Sequence, residues 1–279
     1  MSKSRRLLVA TDLDRTLLSS NFGYHGVVDT LEKLRLLKVP VIPITSRTFK
    51  ELELYMRDIP IGKLDGGIAA VVEVGGAIHL SERLVRGPIR VSSKTLEIPL
   101  AQRLENVSGL IDESVKEAEC SSEPLAFTKA TVEEIVREAG LAPKEALFAK
   151  MRKYSETLVF NDAECRKRFI RAALKRGLDV VESVRQVHVG LGIGKERGLL
   201  KLVNVLPHFR TGRIVTACLG DAPMDKKMLE SCDVAVVIPW NDGRCRVMPR
   251  NKRVLVSPYP APRGWSWAIE RVLALQGIL

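Results

Sequence analysis

Three short apolar runs constrain the fold most: Leu7 to Ala10, Val39 to Ile44 and Ile214 to Leu219. Each stops abruptly at a cluster of polar residues. A helical pattern, Val28 to Leu37, lies between the first two runs, so together they read as a strand-helix-strand unit with a right-handed crossover. Further runs at Val234 to Ile238 and Val254 to Ser257 extend the same pattern to a parallel sheet covered by helices. Pro40 and Pro43 are a blemish in the second run, because proline removes a ladder hydrogen bond. The strand is kept, since Val39, Val41, Ile42 and Ile44 have few other uses. In such a sheet ligands bind beyond the strand ends, so the polar clusters are where function should be sought.

The first cluster is Asp12-Leu-Asp14-Arg-Thr16. The following Leu17, Leu18, Ser19, Ser20 and Asn21 turn the chain into a loop, so two carboxylates converge on one point. Carboxylates forced together repel unless they share a proton or a cation, and hard oxygen ligands suit Mg2+. The second cluster is Thr45-Ser46-Arg47-Thr48, ahead of a helix with Phe49, Leu52, Tyr55 and Met56 on one side. Hydroxyls and amides at such a junction suit a phosphate, although alone they would be an ordinary helix cap. Gly192-Ile-Gly-Lys195 precedes a helix through Leu199, Leu202 and Val205. A P-loop is excluded, because Val189 stands where it needs glycine and Glu196 where it needs Ser or Thr. The last cluster, Gly220-Asp221-Ala-Pro-Met-Asp225, ends a strand and enters a helix containing Met228 and Leu229. A turn accounts for Gly220 and Pro223, but not for two acids at i and i+4.

These four motifs, in this order across residues 12 to 225, resemble those of the haloacid dehalogenase superfamily. The resemblance implies an α/β fold: a haloacid dehalogenase-like Rossmannoid core with a parallel sheet, and an inserted α+β cap domain. The core is expected at 1-82 and 190-279, the cap at 83-189. Strand-like pieces such as Arg90 to Val91 and Leu158 to Phe160, with helices near Gln102 to Ala118 and Asp162 to Arg176, fill the cap. Two motifs precede it and two follow it, so it sits over the site, as in the Cof-type subgroup.

The implied chemistry is phosphoryl transfer with Mg2+. Asp12 would be the nucleophile and Asp14 the general acid and base. Thr45, Ser46 and Lys195 would hold phosphate oxygens. Asp12, the Asp14 backbone carbonyl and Asp221 would bind the metal, with Asp225 bracing Lys195 or a metal-bound water. Within the subgroup the chain is similar to the mannosyl-3-phosphoglycerate phosphatase family, through Glu73 to Ile78, Arg152 to Glu156, Arg185 to His188 and Gly264-Trp265. That implies a phosphorylated sugar-acid substrate, whose carboxylate and hydroxyls would be read by Arg152, Ser155, Glu156, Arg185 and His188. The chain departs from the superfamily pattern at Arg15, where glycine is frequent, at Met224 and Val74, where asparagine is common, and at Thr157, where proline is typical. Another Cof-type sugar-phosphate phosphatase, a phosphomannomutase-like enzyme and a non-catalytic basic binding protein remain as alternatives. The intact Asp12, Asp14, Lys195 and Asp221 argue against the last.

Composition narrows the classes further. No run of about 20 apolar residues could span a bilayer, and no signal peptide is evident, so a cytoplasmic location is expected. Cys120, Cys165, Cys218, Cys232 and Cys245 lack metal spacing and are expected as free thiols. The net charge of +11 could attract nucleic acid, but only 5% of residues are aromatic and no recognition motif occurs. Basic residues interleave with Glu, as in Lys195-Glu196-Arg197, which fits solvated faces and a field that draws small anions. Abundant Arg with few Asn or Gln points to a thermophilic source. Sequence alone leaves the oligomeric state open.

Overall fold

The computed structural model describes residues 6–64, 66–86, 94–183, 186–206 and 214–278. The expected strand at Arg90 to Val91, and Arg185, lie outside the described residues. At the centre is a five-stranded parallel sheet: β1 (Arg6–Thr11), β2 (Val41–Pro43), β11 (Ile214–Gly220), β12 (Val234–Val237) and β13 (Val254–Val256), in the order β13-β12-β11-β1-β2. The place of β2 at the end of this order resolves the proline blemish, because Pro43 closes a terminal strand.

Alternate residues of β1 serve two cores. Leu7 and Val9 face a cluster with Leu31 and Leu34 of α1 (Val28–Leu36), Leu52 and Tyr55 of α2 (Phe49–Asp58), and Trp265 and Ile269 of α10 (Arg263–Leu275). Leu8 and Ala10 face the other, with Leu199 and Leu202 of α8 (Lys195–Val205) and Met228 and Leu229 of α9 (Lys226–Glu230). Helices therefore cover both faces, and the motifs at Asp12, Thr45 and Asp221 sit where strands of this sheet hand over to a loop or helix, while Lys195 opens α8 after a strand of another sheet.

A second sheet, β3 (Lys63–Leu64), β4 (Gly67–Val72), β5 (Ala77–Ser81) and β6 (Thr95–Pro99), is antiparallel and was not apparent in the sequence. It packs into the second core through Val71, Ile78 and Leu80. The cap boundary expected at residue 83 cuts this sheet, since β6 pairs with β5, for example Ile78 with Ile98. The third sheet, β7 (Leu125–Ala126), β8 (Ser155–Val159), β9 (Asp179–Glu182) and β10 (Gln186–Gly190), runs in the order β7-β8-β10-β9. The antiparallel helices α4 (Leu104–Glu117) and α7 (Ala163–Lys175) pack on it through Val107, Ile111, Phe169 and Val187. Two shorter helices, α5 (Val132–Ala139) and α6 (Pro143–Ala149), build a separate cluster with Phe127 and Val159.

The expectation of free thiols fails at one pair. Cys120, just after α4, and Cys165 on α7 form a disulfide, their Cα atoms 5.3 Å apart, while Cys218, Cys232 and Cys245 are free. The pairing follows from packing of two helices 45 residues apart in sequence, which spacing alone does not reveal. Among the described residues no helix is long and apolar enough to cross a membrane.

Candidate functional site

The first motif is placed by β1 and β11. Thr11 pairs with Leu219, and the Asp12 amide donates to the Leu219 carbonyl at 3.0 Å. The Leu13 carbonyl then accepts from the amides of Thr16, Leu17 and Leu18, curling the chain into a tight turn. That turn requires φ of 60° at Arg15, the left-handed region that glycine adopts freely and arginine does not. It brings the Thr16 hydroxyl back under the site, where it donates to Asp221 Oδ1 at 2.9 Å. Behind it, Trp265 Nε1 donates to Thr11 Oγ1 at 3.0 Å, and that hydroxyl donates to the Asp12 carbonyl at 2.7 Å. Trp265, buried in the first core, thus also fixes the backbone beside Asp12.

Lys195 is the first residue of α8, and its side chain is fully buried. Its Nζ donates to Asp12 Oδ1 and to Asp225 Oδ1, both at 2.6 Å. Asp225 Oδ2 accepts from the amides of Asp221 and Ala222, each at 3.1 Å. Both Asp225 oxygens are therefore engaged in bracing the lysine and the turn. Asp12, Asp221 and Asp225 offer oxygens that all lie within 4.8 Å of one another. Asp225 is neutralised by the ammonium, whereas Asp221 accepts only from the uncharged Thr16 hydroxyl and Trp240 indole, so Asp12 and Asp221 are the hard donors of a set that fits Mg2+.

Electrostatics agree with this crowding. Burial, then repulsion from Asp225 and Asp221, pushes the Asp12 carboxyl well above the usual carboxylate range, although Lys195 opposes the shift. Burial and Asp225 raise Asp221 to about 7. Burial disfavours the charge on Lys195, yet Asp12 and Asp225 more than offset it, so the ammonium is held protonated. Three buried carboxylates around one ammonium leave an excess of negative charge, which a divalent cation would neutralise.

The second motif has both of its possible roles. Thr48 caps α2, its hydroxyl accepting from the Glu51 amide at 3.2 Å while the Glu51 carboxylate accepts from the Thr48 amide at 2.8 Å. Thr45 is buried and its hydroxyl accepts from the Arg47 amide at 3.1 Å, while Ser46 lines the cleft. Arg47 is buried under the rings of Phe22 and Tyr55 and reaches both ways. Its guanidinium grips both Asp14 oxygens, the shortest contact 2.8 Å, and donates to Glu145 on α6 at 3.0 Å. The Asp14 side chain is 35% exposed against 7% for Asp12, so it faces the cleft while Asp12 lies at its floor.

The cleft has a volume of about 230 Å³ and is walled by the core and by the third sheet with its helices. One joint between these walls is the turn at 73–76. The Glu73 carboxylate accepts from the amides of Lys153, Tyr154 and Ser155 at 2.9–3.1 Å. Glu73 and Val74 have φ of 49° and 58°, which explains why asparagine is common where Val74 stands. The same turn seats α8: the Gly194 amide donates to the Val74 carbonyl at 2.6 Å, and a Cβ on Gly75 would lie 2.0 Å from the Gly194 carbonyl oxygen.

The cap residues singled out from sequence divide. Arg152 lines the cleft, but its guanidinium donates to the Ser155 carbonyl, the Ser155 hydroxyl and the Ser46 carbonyl at 2.9, 3.0 and 2.7 Å. It acts as a rivet between cap and core. Ser155 is buried within that joint. His188 lines the cleft with Nδ1 3.0 Å from the Thr157 hydroxyl, and burial, then Arg152 and Lys195, holds its pKa well below the ordinary value. Glu156 is not brought to the cleft. Adjacent strand residues point to opposite faces, and its carboxylate accepts from Thr128 beside a second cavity of about 420 Å³. Two contributors were missed. Trp240 lines the cleft and donates from Nε1 to Asp221 Oδ2 at 2.8 Å, and Phe22 adds an aromatic wall. The only signal for Trp240 was its place just after the run Val234 to Ile238.

No protein-family model matches the chain. It is 26% identical over 272 residues, 96% of its length and 97% of the relative's, to a protein of Persephonella marina named glucosyl-3-phosphoglycerate/mannosyl-3-phosphoglycerate phosphatase. It is 24% identical over 268 residues, 94% and 95% of the two lengths, to one of the same name from Methanococcoides burtonii. Among solved structures, a haloacid dehalogenase-like hydrolase from B. subtilis superposes with a TM-score of 0.65 at 15% identity, over 95% of this chain and 99% of that one. The chain thus has the haloacid dehalogenase-like α/β fold and resembles, over nearly its whole length, curated glucosyl- and mannosyl-3-phosphoglycerate phosphatases.

Proposed function

We propose that the chain is a Mg2+-dependent phosphoric monoester hydrolase that converts 2-O-mannosyl-3-phosphoglycerate, or its glucosyl counterpart, to the glycosylglycerate and phosphate. The carrying observation is the buried cluster at the ends of β1 and β11, in which Lys195 bridges Asp12 and Asp225 beside Asp221. The names of the two relatives support the substrate. On this reading residues 104–189 form the cap and the rest the core, and the second cap cavity has no part in the chemistry.

Lys195 engages Asp12 Oδ1, which leaves Oδ2 as the oxygen that attacks phosphorus. The P–O ester bond breaks, and the carboxylate becomes an aspartyl phosphate. Asp14, the more exposed carboxylate, gives a proton to the departing alkoxide. It then takes one from the water that attacks the aspartyl phosphate, which frees inorganic phosphate and restores Asp12. Lys195, Thr45 and Ser46 hold the equatorial oxygens, while Arg47 fixes the direction in which Asp14 points. Asp12, the Asp14 carbonyl and Asp221 would hold Mg2+, which would supply the charge that lets a carboxylate approach a phosphate dianion. A cytoplasmic location and a thermophilic source complete the reading and accommodate the Cys120–Cys165 disulfide, because intracellular proteins of hyperthermophiles carry such bonds.

The test is phosphate release from a panel: both glycosyl-3-phosphoglycerates, mannose 6-phosphate, sucrose phosphate and p-nitrophenyl phosphate. The glycosyl-3-phosphoglycerates should lead, chelator should silence turnover and Mg2+ restore it, and Asp12→Asn should abolish it in a folded protein. Preference for a simple hexose phosphate, or residual activity of Asp12→Asn within tenfold of wild type, would overturn the assignment.

A further inference from the structure

Three arginines line the cleft among the described residues, and two of them are committed. Arg47 is bound by Asp14 and Glu145, and Arg152 by Ser155 and the Ser46 carbonyl. Arg15 differs. Its guanidinium lies 4.6 Å from the centroid of the Trp240 ring and forms no ion pair among the described residues. Arg246 also lies over that ring, at 4.7 Å, but its charge is met by Asp242 at 2.6 Å. Trp240 in turn is fixed by its bond to Asp221 Oδ2. Arg15 is thus a half-buried cation on an aromatic platform, one residue from Asp14, with its charge unmet by any carboxylate among the described residues.

The backbone adds an independent observation. With φ of 60°, position 15 suits glycine, and a bulky residue there is strained. Local strain of this kind persists where the side chain has a use. A guanidinium on a flat ring is well placed for an anion, since its planar fork binds a carboxylate through two parallel hydrogen bonds.

We propose that Arg15 is the specificity residue that binds the carboxylate of the leaving group, within the phosphatase reading given above. In a 3-phosphoglycerate ester the carboxylate is two carbons from the scissile ester oxygen. Asp14, which protonates that oxygen, is the immediate neighbour of Arg15. Recognition of the acid and protonation of the alkoxide are thereby placed on one turn. Trp240 serves as the support for the guanidinium, so the ring offers no open stacking platform to the sugar on the face that Arg15 covers.

Arg15→Gly removes the cation and also relieves the backbone, so the variant should melt no lower than wild type. For mannosyl-3-phosphoglycerate the loss of a charge-assisted hydrogen bond should lower kcat/KM by about 10- to 150-fold, with much of the change in KM. For p-nitrophenyl phosphate, which lacks a carboxylate, the loss should be far smaller. Arg15→Lys should recover part of the selectivity, as a cation without the fork. Equal fractional losses on both substrates would mean that Arg15 only offsets the charge of the acidic cluster, and would overturn the proposal, as would no loss on either. If wild type shows no preference for the carboxylate-bearing substrate, the glycosyl-3-phosphoglycerate assignment falls first and the role of Arg15 falls with it.

Discussion

Replacing Lys195 with Met isolates what holds three carboxylates together in a buried space. Methionine matches the length of the lysine stem and packs without a charge. The side chain it replaces has no exposure and makes two 2.6 Å contacts, to Asp12 and to Asp225. Removing one partner of a buried ionic cluster costs about 3–5 kcal/mol, because the remaining charges keep their desolvation penalty. At about 2–4 °C per kcal/mol this is a fall of roughly 6–20 °C in the thermal midpoint, measured without metal. The cost should depend on Asp12, whose carboxyl burial has already pushed up. In an Asp12→Asn background one of the stranded charges is gone, so Lys195→Met should cost about 1–3 kcal/mol less there. Added Mg2+ should also raise the midpoint of Lys195→Met more than that of wild type, since it answers the same excess of negative charge. The assay is a double-mutant cycle by urea unfolding at neutral pH. Costs that add to within about 0.5 kcal/mol would refute the view that Lys195 and Asp12 form one electrostatic unit.

Arg152→Ala should lower kcat/KM on carboxylate-bearing and simple phosphate esters alike and lower the melting midpoint, because Arg152 joins cap to core; a selective loss in steady-state kinetics would return it to substrate recognition. Glu156→Gln should leave the kinetic preference among substrates intact, since its carboxylate lies on the Thr128 side of the sheet, and a changed preference would contradict that placement. His188, buried and kept neutral, makes the protein less stable as pH falls below about 6.5, because the unfolded chain then takes up a proton that the folded one refuses. His79, lowered to about 4 by burial, acts in the same direction. His188→Gln should reduce the slope of stability against pH below 6.5 by up to about 1.4 kcal/mol per pH unit, and parallel curves in urea unfolding would count against the burial argument.

What the sequence made legible was whatever a short segment decides by itself. An apolar run ending in Asp12 and Asp14, or in Asp221 and Asp225, carries its position in the fold with it, because a strand's end in a parallel sheet is a binding edge. Helices α1, α2, α4 and α7 were legible for the same reason, their apolar spacing being local. Contacts made by distant segments were not. The sheet β3-β4-β5-β6 escaped notice because its strands hold Gly and Ala where the pattern calls for larger residues, as in Gly67-Ile-Ala-Ala. Arg152 and Glu156 looked alike as charged cap residues, and only the strand's alternation, with the placement of Ser46, separates a joint from a buried carboxylate on the sheet's other face. The Cys120–Cys165 bond follows from the packing of α4 on α7 and has no local signature.

The departures at positions 15 and 74 show why a mismatch to a motif still carries physical information. Both occupy left-handed backbone, where glycine or asparagine is the undemanding choice. At Val74 the compensation is visible: the residue is buried, its amide and carbonyl bind Thr45 and Gly194, and Glu73 beside it anchors the Lys153 to Ser155 segment. The strain there is offset by the joint it makes. At Arg15 the described residues offer no such structural compensation beyond the ring of Trp240, and the charge is left facing the cleft. A strained backbone that holds a cation beside Asp14 is accounted for once an anion binds there, and the carboxylate of a glycosyl-3-phosphoglycerate is an anion attached to the scissile ester itself.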